Sequence, residues 1–337
     1  MIWYKDTSDD IVVSTRVRLA RNIGEYPFPA MLNEKGRDKV TDELKSAILN
    51  SNSTLSKEFT FHKMKGLSIA ERQKLAEKHL ISFDMAESDK GSCLISKDET
   101  MSIMLMEEDH LRIQIILGGF KLKEAWETAN RVDDVIEESV SYAFSEEFGY
   151  LTACPSNTGT GMRASVMMHL PALKESRTVS RISANLSKLG LVIRGAYGED
   201  TESEGAMYQI SNQVTLGISE KAAVQNLKSI TEQLVNSELK TRENMLKSFE
   251  YQDKIGRSYG ILITARLISH KEAIKLLSNL RMGICEGLID SVDLETVDSL
   301  MLKIQPASLM RHKGTRLTPE ERDRVRAEII REELRPK

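Results

Sequence analysis

Arginine, carboxylate and cysteine side chains recur in this chain in short clusters beside apolar runs, and those clusters are where chemistry could be done. Ser14-Thr15-Arg16-Val17-Arg18 puts two guanidinium groups on alternate residues. In an extended segment they project to one face and repel unless an anion lies between them. Each planar fork can grip phosphate oxygens bidentately. A solvated strand face, or pairing with nearby acids, also accounts for an isolated R-x-R. Glu107-Glu108-Asp109-His110-Leu111-Arg112 sets three acids beside His and Arg between apolar runs. That is either a charged hairpin tip or a carboxylate and an arginine at the mouth of a sheet, as a cationic substrate and a phosphate would require. In Leu151–Pro171, Cys154 precedes Pro155, an Asn-Thr-Gly-Thr-Gly turn and Arg163. Gly159 and Gly161 permit positive φ and close backbone approach, as an anion-cradling loop needs. A turn between strands with a buried thiol is the other reading.

Composition narrows the classes. The 337 residues can bury a full core and suggest two domains. With 47 basic and 50 acidic residues the net charge is −3, so no basic field points to nucleic acid. Cys93, Cys154 and Cys285 are far apart, with no CxxC, so neither a disulfide framework nor a zinc site is indicated. The N-terminus lacks a signal-peptide pattern, and no run of about eighteen apolar residues occurs, so no membrane span is expected and a cytoplasmic location is.

The elements that must position these clusters can be read from periodicity. Ile11–Val13 reads as a strand entering the first arginine pair. Asn33–Asn50 and Ser68–Ile81 read as amphipathic helices, the second opened by the capping box Ser68/Glu71. Ser92–Ser96, Thr100–Met106 and Leu111–Leu117 read as strands, and Gly118-Gly119 stops the last. Lys121–Phe148 has long helical periodicity, with Ala125, Val132, Ile136, Val140 and Phe144 towards the core. After the cysteine segment come a helix, Thr178–Leu189, closed by Gly190, and a strand, Leu191–Ile193. The polar segment Arg194–Gly205, with three glycines and four carboxylates, suits a lid or mobile linker. Met207–Ile210 resumes a strand and Ser219–Phe249 is a long helix. Helical segments follow at 253–267, 270–282, 293–302 and 318–335, with a break at Pro306. Thr318, Pro319 and Glu321 open the last. The expected class is α+β, with a domain boundary near residue 250.

A P-loop, a dinucleotide fingerprint, the eukaryotic protein-kinase motifs, G-x-S-x-G and H-E-x-x-H are all absent from the sequence. Four segments instead supply Arg16, Arg18, Arg112, Arg163 and Arg194, two supply Glu108 and Glu199, and one supplies Cys154. Five fixed cations suit a triphosphate, whose transfer depends mainly on positioning and charge neutralisation.

In this order, S-T-R-V-R, E-E-D-H-L-R, C-P-S-N-T-G-T-G-M-R-A-S-V and R-G-x-x-G-E resemble the phosphagen kinase (ATP:guanido phosphotransferase) superfamily over residues 11–250. The resemblance implies a catalytic domain with a large, mainly antiparallel sheet flanked by helices, of the phosphagen kinase and glutamine synthetase-like type. It implies ATP and Mg²⁺ as cofactors, with few direct protein ligands for the metal. Arg16, Arg18, Arg112, Arg163 and Arg194, with Ser14 beside them, match the residues that clamp the ATP phosphates. Glu108 and Glu199 match the carboxylates that grip a guanidinium, and Cys154 the reactive cysteine lying against it. The region from Tyr197 to Gly205 matches a closing loop.

Some features depart from the kinases of free arginine or creatine. S-T-R-V-R stands at residue 14, where those kinases have a small helical domain ahead of it, so the guanidino site is expected to be uncovered. Met167 stands near where they carry a histidine by the adenine, and Tyr197 where they carry a loop arginine. An all-α module occupies 251–337. These departures resemble bacterial protein-arginine kinases, whose C-terminal domain dimerises and holds phosphoarginine on an R-D-x-x-R-A motif. Arg322-Asp323-Arg324-Val325-Arg326-Ala327 matches it, although a solvated charged helix fits the residues alone. Arg322 and Arg326 at i and i+4 could grip a phosphate while Asp323 pairs with the guanidino part. The implied substrates are arginine side chains of unfolded proteins, marked for proteolysis in stress-related quality control. The implied partners are a second copy or higher oligomer, a stress adaptor or activator, and a Clp-type unfoldase-protease. A kinase of a free guanidino compound and a phosphoarginine-binding adaptor are the alternatives.

Overall fold

A computed structural model describes residues 10–195, 203 and 205–335. Tyr197 and Glu199, which carry the lid and second-carboxylate expectations, lie outside these residues. In chain order the elements are β1 (Val12–Arg21), α1 (Glu34–Leu49), β2 (Phe59–Lys63), α2 (Ile69–Glu77), α3 (Phe83–Glu87), β3 (Ser92–Ser96), β4 (Met101–Leu105) and β5 (Leu111–Gly118). Next come α4 (Leu122–Glu137), a hairpin of β6 (Phe144–Ser145) and β7 (Gly149–Tyr150), β8 (Met162–His169), α5 (Pro171–Glu175), α6 (Val179–Lys188), β9 (Leu191–Gly195) and β10 (Met207–Asn212). Helices follow: α7 (Glu220–Met245), α8 (Phe249–Thr264), α9 (His270–Cys285), α10 (Leu294–Lys303), α11 (Pro306–Lys313) and α12 (Pro319–Glu333).

Eight strands form one sheet in the order β2-β3-β4-β5-β1-β8-β10-β9. The pairings β2/β3, β3/β4, β4/β5 and β5/β1 are antiparallel. The expected α+β class, with a large antiparallel sheet and a helical C-terminal region, is observed. β3 and β4 are buried at every position, so both faces of the sheet are covered there. The chain divides into two compact units. One holds Ser14–Val166 and Ser211–Ser229; the other holds 10–13, Met167–Ile210 and 230–335.

Local chemistry explains most element ends. Asn33 caps α1 by accepting from the Gly36 amide, and the Ser68/Glu71 and Thr318/Glu321 capping boxes both form. Three expectations change. The helix from Lys121 stops at Glu137, and Phe144 is exposed, because the chain at 141–143 is captured by the end of β1. Gly24 N donates to Ser141 O, and Ala143 N donates to Asn22 O at 2.7 Å. Pro306 begins α11, since proline is tolerated at a first helical position whose N–H needs no partner. α2 ends at Glu77, short of Ile81, and His79 adopts φ +60°.

The first unit is tied together by Arg21, whose side chain is 1% exposed. Its Nη2 and Nε meet Asp133 Oδ2 on α4 at 2.7 and 3.0 Å. Nη1 donates to Ala20 O and to Thr160 O, and the guanidinium lies 3.6 Å over the Tyr150 ring. Thus one cation joins β1, α4, β7 and the segment after Cys154. Replacing Arg21 with Met strands the Asp133 carboxylate in the core. That is expected to cost about 3–5 kcal/mol, measured by urea denaturation, and Arg21→Met with Asp133→Leu should recover most of it.

Candidate active site

The β1/β5 register opposes Arg16 to Ile116, Arg18 to Gln114 and Ala20 to Arg112. Side chains alternate faces along a strand, so Arg16, Arg18 and Arg112 share one face, and Ser14, itself buried, has the same parity. Arg163 is the second residue of β8, the strand next to β1. The four guanidinium groups feel one another. Arg16 is pushed down to about 10 by burial and then by Arg112 and Arg163. Burial, Arg16, Arg112 and Arg163 lower Arg18 well below its ordinary value, with Glu107 opposing. Arg18 Nε is also buried without a hydrogen-bond partner. An anion among these side chains would relieve both the repulsion and the unmet donor.

His79 belongs to the same face and was not singled out in the sequence, where it reads as a turn of α2. Gln114 Nε2 donates to its carbonyl at 2.7 Å and to Ser102 Oγ at 3.0 Å. Burial, then Arg16 and Arg18, push its imidazole down to about 4, so the ring stays neutral near pH 7. In the sequence it falls inside the expected helix Ser68–Ile81, where nothing marks it out.

Beside the cations lies a cleft of about 500 Å³ of mixed charge, lined by the acids Asp84, Glu107 and Glu108 and the bases Arg37, Lys90 and Arg112. Met106, at φ +59°, turns the β4–β5 connection, and its N–H donates to His110 O at 3.1 Å. A non-glycine residue held there carries strain of about 1–3 kcal/mol, and it opens the turn that carries Glu107, nearly buried, and the more exposed Glu108. Glu107 Oε2 is 2.7 Å from Arg112 Nη1, and its Oε1 accepts from Ser82 Oγ. Glu108 Oε2 is 3.3 Å from Arg112 Nη2. The Glu108 carboxyl is raised above its ordinary value by burial, against Arg112, with Asp109, Glu107 and Asp84 adding to it. Arg112 therefore belongs to both the arginine face and the cleft.

Cys154 is half-buried, with Sγ 3.1 Å from Ser156 Oγ. Its loop is fixed by Asp109, whose Oδ1 accepts from Ala153 N and from Asn22 Nδ2, each at 2.7 Å. Asn22 in turn accepts from His110 N at 2.8 Å and donates to Leu151 O at 3.0 Å. The acid beside Glu108 thus holds the loop that carries Cys154, a role the sequence did not suggest. The glycines have the positive φ and close approach expected of them. A Cβ on Gly159 (φ +116°) would lie 2.2 Å from Thr215 O, and one on Gly161 (φ +62°) 2.6 Å from Ala20 O. The backbone each admits is the protein's own.

In the second unit, Arg194 is an exposed residue of β9. Glu199 lies outside the described residues. On α12, Arg326 is 2% exposed; its Nη1 meets Asp323 Oδ1 at 2.5 Å and Ile268 O at 2.9 Å, and its Nε meets Ile304 O. Burial and then nearby Arg322 lower its pKa, while Asp323 opposes them. Arg322, Asp323 and Arg326 therefore form one charged cluster. Among the described residues no group of three or more His, Cys, Asp or Glu could hold a metal, and no helix is long and apolar enough to cross a membrane.

The family model for the ATP:guanido phosphotransferase C-terminal catalytic domain matches residues 39–241. The chain belongs to the ATP:guanido phosphotransferase family. A second model, the protein-arginine kinase McsB C-terminal domain, matches 248–337. Among guanido phosphotransferases, a protein-arginine kinase of Caldanaerobacter subterraneus is 48% identical over 97% of this chain and 98% of its own. One of Bacillus cereus is 46% identical over 97% and 93%. A crystal structure of lombricine kinase superposes with a TM-score of 0.61 at 27% identity, over 69% of this chain and 68% of its own. A duplicated taurocyamine kinase of Schistosoma mansoni gives 0.63 at 23% identity, over 83% and 47%, and shows the shared fold.

The imidazole of His79 makes a pH test of the arginine face. The unfolded chain takes up a proton near 6.5 and the folded one only near 4, so folded stability falls as pH drops through that window. His79→Gln should lose part of this slope, seen as a smaller fall in the urea midpoint between pH 7 and pH 5 than in the parent.

Proposed function

We infer that this guanido phosphotransferase is a protein-arginine kinase, transferring the γ-phosphate of ATP to arginine side chains of proteins. The observation that carries the reading is Arg112, which stands at once among the other arginines and 3.3 Å from Glu108. A phosphoryl donor and a guanidinium acceptor would meet at that junction. Curated relatives of that name, similar over nearly the whole chain, support the choice of a protein acceptor.

Arg16, Arg18, Arg112 and Arg163 would hold the phosphates with Ser14 beside them, and the family pattern gives Arg194 the same role. A guanidinium is a poor nucleophile, because its lone pairs are delocalised and it stays protonated at neutral pH. Glu108 would align one of its nitrogens with the γ-phosphorus and take its proton as the N–P bond forms and the bond to ADP breaks. The raised pKa of Glu108 suits a group that must accept a proton. Glu199 would hold the other edge of the guanidinium and Cys154 would lie against it. Mg²⁺, when bound, would neutralise phosphate charge. Glu107 and Glu108 are engaged with Arg112 and Ser82, and Mg²⁺ keeps much of its hydration, so phosphate oxygens and water would supply most of its ligands.

The finer parts of the reading rest on the family. Residues 1–250 would be the catalytic domain and 251–337 the dimerisation domain. Arg322, Asp323 and Arg326 would bind phosphoarginine there and let the product regulate the enzyme. A cytoplasmic role in stress-related quality control, with an adaptor and a Clp-type protease downstream, completes it.

Incubation with ATP and an unfolded protein such as casein should give phosphate on arginine that is lost in acid. No incorporation, or incorporation stable to acid, would refute the reading. Glu108→Gln should cut kcat by about 10²–10⁴-fold with the thermal midpoint unchanged.

A further inference from the structure

Two large exposed apolar side chains adjoin, along the chain, residues that line the cleft. Met31 is 79% exposed and Phe83 is 65% exposed. Met31 ends the short helical turn Pro29–Met31, whose Pro29 and Ala30 line the cleft. Phe83 begins α3, whose Asp84 and Met85 line it. Each is therefore the chain neighbour of wall residues, and the two come from separate segments. Glu107 and Glu108 line the same cleft, together with Asp84 and the cations Arg37, Lys90 and Arg112. Single exposed apolar residues are ordinary, but two that are each the chain neighbour of residues lining one charged cleft offer apolar surface to whatever reaches it.

The fold does not use either side chain. The turn is held by Met31 N donating to Phe28 O, with Pro29 buried. α3 is capped by Ser82, which accepts from Met85 N, and it anchors itself by burying Met85 and Ala86 in the core that also holds Met64, Leu80 and Cys93. Their exposure is thus a property of the surface alone.

A guanidinium reaching Glu108 must carry the rest of its molecule past this surface. A free guanidino amino acid would bring a charged ammonium and carboxylate there, which gain nothing from Met31 or Phe83. An extended polypeptide would bring the side chains on either side of its arginine. We propose that Met31 and Phe83 read those neighbours and select arginines set among apolar residues, a context that a substrate protein shows chiefly when unfolded. This rests on the reading of the chain as a protein-arginine kinase and adds the sequence context it prefers.

Two peptides of equal length and net charge test it, each with one arginine, flanked in one by leucine and phenylalanine and in the other by serine and glycine. Phosphoarginine formation by mass spectrometry gives kcat/KM for each. The intact enzyme should favour the apolar peptide about tenfold, through KM, as expected for partial burial of one or two large apolar groups. Met31→Ser with Phe83→Ser should bring the two peptides near parity, with the polar peptide's kcat/KM and the thermal midpoint unchanged. Equal rates on the two peptides with the intact enzyme overturn the proposal, as does an undiminished preference in the double variant. Phosphorylation of free arginine but of neither peptide overturns the underlying kinase reading, and this inference with it.

Discussion

Mutual repulsion among closely spaced, half-buried cations is the constraint on which the first unit depends. Burial, and then the nearby Arg112 and Arg163, depress the proton affinity of Arg16 and Arg18. Left to itself such a cluster would splay apart. Three strands hold it, because β5, β1 and β8 are neighbours in the sheet and their backbone ladders fix the spacing regardless of side-chain charge. The unfavourable electrostatics are a standing cost that a polyphosphate would reverse, which is how a site can be preorganised for an anion before it arrives.

The surrounding polar network distributes that cost. Arg21, in the same strand but on the opposite parity to Arg16 and Arg18, is fully neutralised by Asp133 and stacked on Tyr150, so it stabilises where its neighbours do not. Asp109, Asn22 and His110 form a second buried net that ties the end of β1 to the acidic turn and the cysteine loop. Glu107 has a mixed role. It pairs with Arg112 and accepts from Ser82, and so fixes an arginine that belongs to both the arginine face and the cleft.

Much of the fold was legible. Caps at Asn33, Ser68 and Thr318 act through hydrogen bonds within four residues, so their chemistry is local and the sequence shows it. The run past Glu137 misled because Val140 and Phe144 continue a helical spacing. A bridge from Ile23 to Tyr142, far apart in the chain, decides against the helix there. Pro306 misled in the opposite sense, since a proline that ends one helix also suits the first position of the next.

For the site, the sequence by itself determined which residue types were available. The alternating arginines, the acids before Arg112, and the Cys-Pro segment with Arg163 carried the family's pattern. Periodicity placed Arg16 and Arg18 on one face, because strand alternation is a local rule. Only the tertiary structure decided what surrounded them. His79 joins the arginine face through Gln114, and Asp109 holds the cysteine loop, while Gly159 and Gly161 turn out to admit protein backbone. Gln114 and His79 stand 35 positions apart and Ala153 and Asp109 44, and the glycines meet backbone further away still. Contacts at such separations are fixed by sheet order and register, which no local pattern encodes.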